Sequence, residues 1–383
     1  MRPSRTLVAL TLSFAAAALL ASQQRTGALT REQAVRRAHE LAALGRKMFF
    51  DPSLSGSGKL SCSSCHDPAF AYGPPNALAV QPGGRDLTQS GIRAVPSLRY
   101  LQAIPQFTEH YFGSDDEGDD SIDNGPTGGL TWDGRVDRAR DQARLPLLSY
   151  REMANKDEAS VVAAAQKAGY SQELKKLSGA ATAFGIILEA FEAFEQDENE
   201  FYPYTSKYDA FLAGNATLTG PESRGLHLFT DPDKGNCAQC HIATRGPNGT
   251  PPQFTDYGFV ALGLPRNPEI PVNSDPQWFD LGLCGPERTD LRDRDEYCGL
   301  FMTPTLRNIA TRRAFFHNGV FHTLKEAVAF YGTTDRKPAD LPARYRGNVT
   351  TEPPFGRKMS PKEIDDIVAF LQTLTDGFRA QPD

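Results

Sequence analysis

The sequence predicts a mainly α protein built from two related modules with long loops. Three observations carry that expectation. Apolar residues recur at helical spacing in several windows, whereas strand signals are few and short. Helix starts are marked by capping patterns: Thr30 with Gln33, Thr323 with Glu326, and Ser360 with Glu363. A degenerate repeat, GRKMFFDP at 45–52 and GLHLFTDP at 225–232, precedes each of two cysteine-rich loops.

In chain order, residues 1–28 read as a secretory signal. Arg2 and Arg5 give a positive start, Leu7 to Ala21 a short apolar run, and Ala21 to Ala28 small residues suited to cleavage. The run of about 15 residues falls short of the roughly 20 that a membrane span needs, and no later segment reaches that length. An exported, periplasmic protein is expected. The first module, 29–205, opens with a helix carrying Ala34, Val35, Ala38, Leu41, Ala42 and Met48 at helical spacing. Residues 155–200 are mostly helical through Val161, Ala165, Ile186, Leu188, Phe191 and Phe194. The second module, 206–383, starts a helix at Thr219 to Glu222 with Pro221 in its first turn. The helix opened by Thr323 places Ala327, Val328 and Tyr331 on one inward face; the last helix carries Ile364, Ile367, Val368, Leu371 and Leu374. Polar, Gly/Pro-rich loops fill 72–130 and 242–300.

A chain of 383 residues is long enough for two ordinary domains. Its net charge of −6 lacks the basic footprint of a nucleic-acid-binding protein. Of the six cysteines, four lie in two CxxCH motifs: Cys62, Cys65 and His66, then Cys237, Cys240 and His241. A CxxC pair alone suits zinc, an iron–sulfur cluster or a redox disulfide. The histidine directly after the second cysteine favours covalent attachment of haem c, with two thioether tethers and an adjacent proximal imidazole. Two such motifs in repeated contexts imply two haems. Cys284 and Cys298 flank a charged loop; in an oxidising compartment a disulfide there contributes roughly 3 kcal/mol by the chain-entropy model, the alternative being two free thiols.

The two CxxCH motifs, LTWDGRVDRARDQARLPLLSYREMAN at 130–155, and FMTPTLRNIATRRAFFHNGVFHTLKEAVAFY at 301–331 together resemble the bacterial di-haem cytochrome c peroxidase superfamily, which includes the MauG-type enzymes. The resemblance covers nearly the whole chain after the signal. It implies two cytochrome c-like domains, a peroxidatic N-terminal haem, and a C-terminal haem that receives or stores an oxidising equivalent. It gives Glu152 as the distal acid–base residue, Gln142 as a distal glutamine, Pro146 as a pocket proline and Trp132 as a residue near both haems. Peroxide heterolysis needs a base to carry a proton from the near to the far oxygen, which a carboxylate does.

At Tyr331 the peroxidases of the superfamily have a methionine ligand of the C-terminal haem, and MauG-type members a tyrosine. Periodicity alone makes Tyr331 a core residue; the resemblance implies His241/Tyr331 ligation, favouring ferric and higher states over the potential-raising methionine. The sequence brings no methionine close to Tyr331, the nearest being Met302 and Met359. Two departures stand out. Gly235 occupies the place where MauG has an aromatic residue, and Ala94 the place of an asparagine associated with the family's calcium ion. The acidic segment 113–125 is an alternative oxygen-rich site for calcium. His110 is expected at the surface, with a switchable-ligand role as the alternative. His317 and Asn318 are expected around the second haem, and His39, His227 and His322 are expected to be structural.

The implied reaction partners are hydrogen peroxide and a protein, as electron donor or as oxidised substrate. Tyr331 favours the second branch. A purely electron-transferring cytochrome is the competing class, against which Glu152 and Gln142 weigh.

Overall fold

The computed structural model describes residues 29–112, 123–179, 181–246, 248–333, 336, 338–351 and 355–379. The signal segment 1–28 and most of the acidic segment lie outside them. Among the described residues, 29–40 and those from Leu41 onward form two units. The first holds the start of α1 (Arg31–Phe49), where Thr30 Oγ1 accepts from the Gln33 amide at 3.2 Å and Gln33 Oε1 accepts from the Thr30 amide at 2.9 Å.

The second unit is mainly α. Its helices are α2 (Ala139–Leu148), α3 (Glu158–Ala165), α4 (Ser171–Leu177), α5 (Ala183–Phe194), α6 (Glu198–Phe201), α7 (Lys207–Leu212), α8 (Gly220–Thr230), α9 (Leu324–Tyr331) and α10 (Pro361–Gln372). Strand among the described residues is confined to two antiparallel pairs, β1 (Pro82–Gly83) with β2 (Gln89–Ser90) and β3 (Phe259–Val260) with β4 (Phe301–Met302). Side-chain caps start α8, α9 and α10 at Thr219, Thr323 and Ser360, each answered by a glutamate three residues on.

Two apolar cores form, one within 41–201 and one within 208–374. Each has an aromatic nucleus that excludes water from the helix crossings: Phe49, Tyr72, Phe194 and Phe201 in the first; Tyr208, Phe229, Phe254 and Phe370 in the second. The sequence repeat has a physical reason. A Cβ on Gly45 would sit 1.9 Å from the Ala190 carbonyl oxygen, and one on Gly225 would sit 1.9 Å from that of Asp366. Both glycines therefore let one helix backbone touch another, α1 on α5 and α8 on α10. The phenylalanine four residues later, Phe49 or Phe229, fills each core.

Polar contacts join the two cores. The carboxylate of Asp376 accepts from Tyr100 Oη at 2.8 Å, Arg99 Nη1 at 3.0 Å and Asn308 Nδ2 at 2.6 Å. Arg93 donates to Asp280 at 2.6 and 2.7 Å and to Asp133 at 2.7 Å. Cys284 and Cys298 are joined as a disulfide with Cα atoms 5.0 Å apart, packed with Leu341 and Tyr345.

Candidate functional site

Both CxxCH segments are tight turns that present the histidine ring. In the first, the Cys65 and His66 amides donate to the Cys62 carbonyl at 3.2 and 2.9 Å. The Asp67 side chain accepts from the Ala69 amide at 2.8 Å, while the Asp67 amide donates to the Gly73 carbonyl at 2.9 Å. That closed loop delivers the Tyr72 carbonyl to His66 Nδ1 at 3.0 Å. In the second, the His241 amide donates to the Cys237 carbonyl at 2.9 Å and His241 Nδ1 donates to the Phe254 carbonyl, again at 2.9 Å. A carbonyl only accepts, so each Nδ1 carries the proton and each Nε2 keeps a lone pair for a ligand contact. Burial pushes the His66 pKa down to about 4 and lowers that of His241, holding both rings neutral, as metal ligation requires.

Each histidine lines a cavity with its two cysteines. The C-terminal cavity holds about 1140 Å³ of empty space, part of it open to solvent, and is walled almost wholly by apolar groups from α8, α9 and α10 and from the segments 260–262 and 301–316. Tyr331 at the end of α9 lines it, as do His241, Trp132, Phe301 and His317. Burial raises the Tyr331 phenol pKa, so a phenolate there requires a cation in the cavity. The structure also corrects one expectation from sequence distance. Met302, on β4, and Met359 both line this cavity; Met359 arrives because the chain after α9 folds back, with the Gly356 amide donating to the Tyr331 carbonyl at 3.0 Å.

The N-terminal cavity holds about 820 Å³ of empty space, part of it open to solvent, and gathers Cys62, Cys65 and His66 with Gln142, Pro146 and Glu152. Gln142 and Pro146 come from α2, whose C-terminal turn is held by Asn155 Nδ2, donating to the Leu147 and Leu54 carbonyls at 2.9 and 2.8 Å. Glu152 lies in the turn after α2, its amide donating to the Ser149 carbonyl at 3.0 Å and its carbonyl accepting from the Gly84 amide at 2.8 Å. Gly83 is required here: a Cβ would come within 2.1 Å of the Arg151 carbonyl oxygen and 2.8 Å of the Glu152 Cα. Glu152 is exposed toward the cavity and surrounded by protein. That burial raises its pKa above the ordinary carboxylate value, although a Ser149 hydrogen bond and the Arg135 charge oppose the rise.

Trp132 lines the C-terminal cavity and a third cavity of about 1000 Å³ between the two cores; its Nε1 donates to the Ala94 carbonyl at 2.7 Å. His317 stacks on Phe301 with centroids 3.4 Å apart, its Nε2 buried without a hydrogen bond. Asn318 does not line the cavity; its amide donates to Asp340 at 2.8 Å. His110 is exposed and pairs with Asp123 at 2.6 Å. His227 is exposed, and His322 bonds Glu269 at 2.9 Å. The calcium expectation rests on 113–125, of which 113–122 lie outside the described residues.

The donor sets fit haem c. Two unbridged thiols and one neutral imidazole converge on each roomy, largely apolar cavity. Among the described residues no three His, Cys, Asp or Glu side chains gather as a metal-holding group. Sequence reading missed Glu195, at the C-terminal end of α5. It is 7% exposed, lines the N-terminal cavity, and has one oxygen without a partner. Burial and the Glu192 charge push its pKa up to about 8. Arg93 and Arg151, which line the same cavity, were also missed. Only the fold brings them there.

The family model described as "Di-haem cytochrome c peroxidase" matches residues 39–217, and the cytochrome c model matches 223–375. The methylamine utilization protein MauG of Paracoccus denitrificans is 34% identical over 372 residues, covering 91% of each chain. The cytochrome c551 peroxidase of Nitrosomonas europaea is 28% identical, covering 97% of this chain and 89% of its own. The crystal structure of the diheme peroxidase BthA from Burkholderia thailandensis superposes with a TM-score of 0.75 at 37% identity, covering 88% of this chain and 86% of that one.

Proposed function

Because the chain belongs to the di-haem cytochrome c peroxidase and MauG family, we propose that it is an exported oxidoreductase whose His66 site reacts with hydrogen peroxide. The oxidising equivalents are then held at the His241/Tyr331 site and used on a partner protein. Haem c bound in each cavity would supply an iron centre that exchanges single electrons, the one at His66 also taking up peroxide. Cys62 and Cys65, and Cys237 and Cys240, provide the thioether sulfurs. His66 and His241 provide Nε2. The Glu152 carboxylate accepts a proton from the near peroxide oxygen and returns it to the leaving oxygen. The Gln142 amide orients the peroxide, while Pro146 and Leu147 keep bulk water out. Trp132, lining the C-terminal cavity and the space between the cores, serves the exchange between sites.

The observation that carries this reading is Tyr331, placed in one cavity with His241 by a helix whose other inward residues are apolar. A phenolate stabilises oxidised iron, whereas a thioether raises the potential. Met302 and Met359 in the same cavity favour a second reading, a cytochrome c peroxidase taking electrons from a small redox protein. Tyr331→Phe decides between them. Loss of a tyrosinate signature and a raised potential support the first; unchanged spectra, with Met359→Leu altering them instead, support the second. Peroxide added to the ferric protein tests both against a non-catalytic cytochrome, for which no spectral change is expected.

The division at 205/206 belongs to the same proposal and is supported by the two separate cores. Export rests on the sequence of residues 1–28. The mass of the protein recovered from the periplasm tests it. A bound calcium ion, the remaining component, is tested by elemental analysis of the purified protein.

A further inference from the structure

We propose that the chain biases electron flow between its two sites by placing opposite charges behind the two proximal histidines: the Arg312 guanidinium behind His66 and the Asp256 carboxylate behind His241. The inference rests on the reading above, that both histidines ligate haem iron, and adds the electrostatic device that ranks the two sites.

The two rings are held alike, each by one backbone carbonyl on Nδ1, Tyr72 for His66 and Phe254 for His241. What surrounds those carbonyls differs. Arg312 belongs to the C-terminal core's sequence but reaches across to the N-terminal one, donating to the Val95 carbonyl at 2.9 Å. Its Nη1 lies 3.8 Å from where a Cβ on Gly73 would stand, next to the Tyr72 carbonyl that holds His66. Its other hydrogen bond also goes to a carbonyl, Ala314 at 3.3 Å, and no carboxylate among the described residues pairs with it. The positive charge therefore stands without a carboxylate partner among the described residues, beside the segment whose carbonyl holds His66. Asp256 lies two residues beyond Phe254. Its Oδ1 accepts from the Gly258 amide at 2.9 Å, so the carboxyl group stands on the same short segment as the carbonyl that holds His241.

A fixed cation in a protein interior raises the potential of a nearby redox centre because it disfavours the oxidised, more positive state; a fixed anion lowers it. When one electron passes from the His241/Tyr331 site to the His66 site, the donor is oxidised by one unit beside an anion. The acceptor is reduced by one unit beside a cation. Both charges favour that direction, independently of Tyr331. Arg312 and Asp256 are positioning residues in this scheme: they touch the peptide segments that hold the ligands, not the reacting atoms.

The test is a redox titration of the purified di-haem protein followed by EPR, which resolves the two sites by spin state. Arg312→Gln is expected to lower the potential of the His66 site alone, and Asp256→Asn to raise that of the His241 site alone. Each change lowers the equilibrium constant for the transfer by about tenfold or more, given unit charges at an effective dielectric near 20. Arg312→Lys, which keeps the charge, restores the wild-type value and separates electrostatics from packing. Potentials that stay put in Arg312→Gln and Asp256→Asn, or an Arg312→Lys that behaves like Arg312→Gln, overturn the proposal. Failure of the ligand reading is distinguishable. It appears as an unchanged His241-site spectrum in Tyr331→Phe, whatever the charge variants do.

Discussion

At the scale of single residues, the proposed peroxide chemistry turns on one carboxyl group. Glu152 has a pKa raised by burial, and its base form is the deprotonated one. The rate of reaction with peroxide should therefore rise with pH through an apparent pKa above the ordinary glutamate value, and stopped-flow traces across pH 4 to 8 check it. Glu152→Gln should slow that step by about 10²–10⁴-fold while both haems stay attached. Glu195 makes a different prediction. Its pKa rises from 4.5 to about 8 on folding, so the folded state holds a proton that the unfolded chain releases. The stability penalty is absent below pH 4.5, grows between 4.5 and about 8, and is complete above. Glu195→Gln should raise Tm at pH 8 and leave it nearly unchanged at pH 4.5, as calorimetry would show.

At the scale of elements, close backbone approaches at glycine position the site. Gly45 and Gly225 sit where helices touch, and a Cβ at either would lie 1.9 Å from a carbonyl oxygen. Gly45→Ala or Gly225→Ala should cost about 1–3 kcal/mol or more, measured by denaturant unfolding of the holo-protein. Gly83→Ala acts locally, because it pushes on Arg151 and Glu152 rather than on a helix crossing. It should slow the peroxide reaction far more than it lowers the unfolding midpoint.

At the scale of the whole molecule, the two cores are registered by a few buried polar groups. The Asp376 side chain, 3% exposed, accepts from Arg99, Tyr100 and Asn308. Asp376→Ala leaves those donors without their acceptor and should cost about 3–5 kcal/mol, read from the unfolding midpoint. If the cores shift as a result, the Arg312 to Val95 contact that reaches across them is disturbed too, and the potential of the His66 site should drift in the same variant. The proposed redox bias is in this sense a property of the assembled pair and not of either half.

The sequence alone determined what depends on neighbours along the chain. A capping box needs only residues three apart, so the starts of α8, α9 and α10 were legible at Thr219, Thr323 and Ser360. Attachment chemistry needs only the CxxCH spacing, so Cys62, Cys65, His66, Cys237, Cys240 and His241 stood out before any fold was known. Tertiary structure decided everything that depends on a distant backbone arriving at the same cavity. It brought Glu195 from α5 beside Cys62, folded Met359 back against Tyr331, and carried Arg312 across to the loop that holds His66. The physical reason is that burial and electrostatics act through space. A carboxyl's pKa or an iron's potential is set by the charges and dielectric within several ångströms, and periodicity along the chain carries no record of which distant segment supplies them.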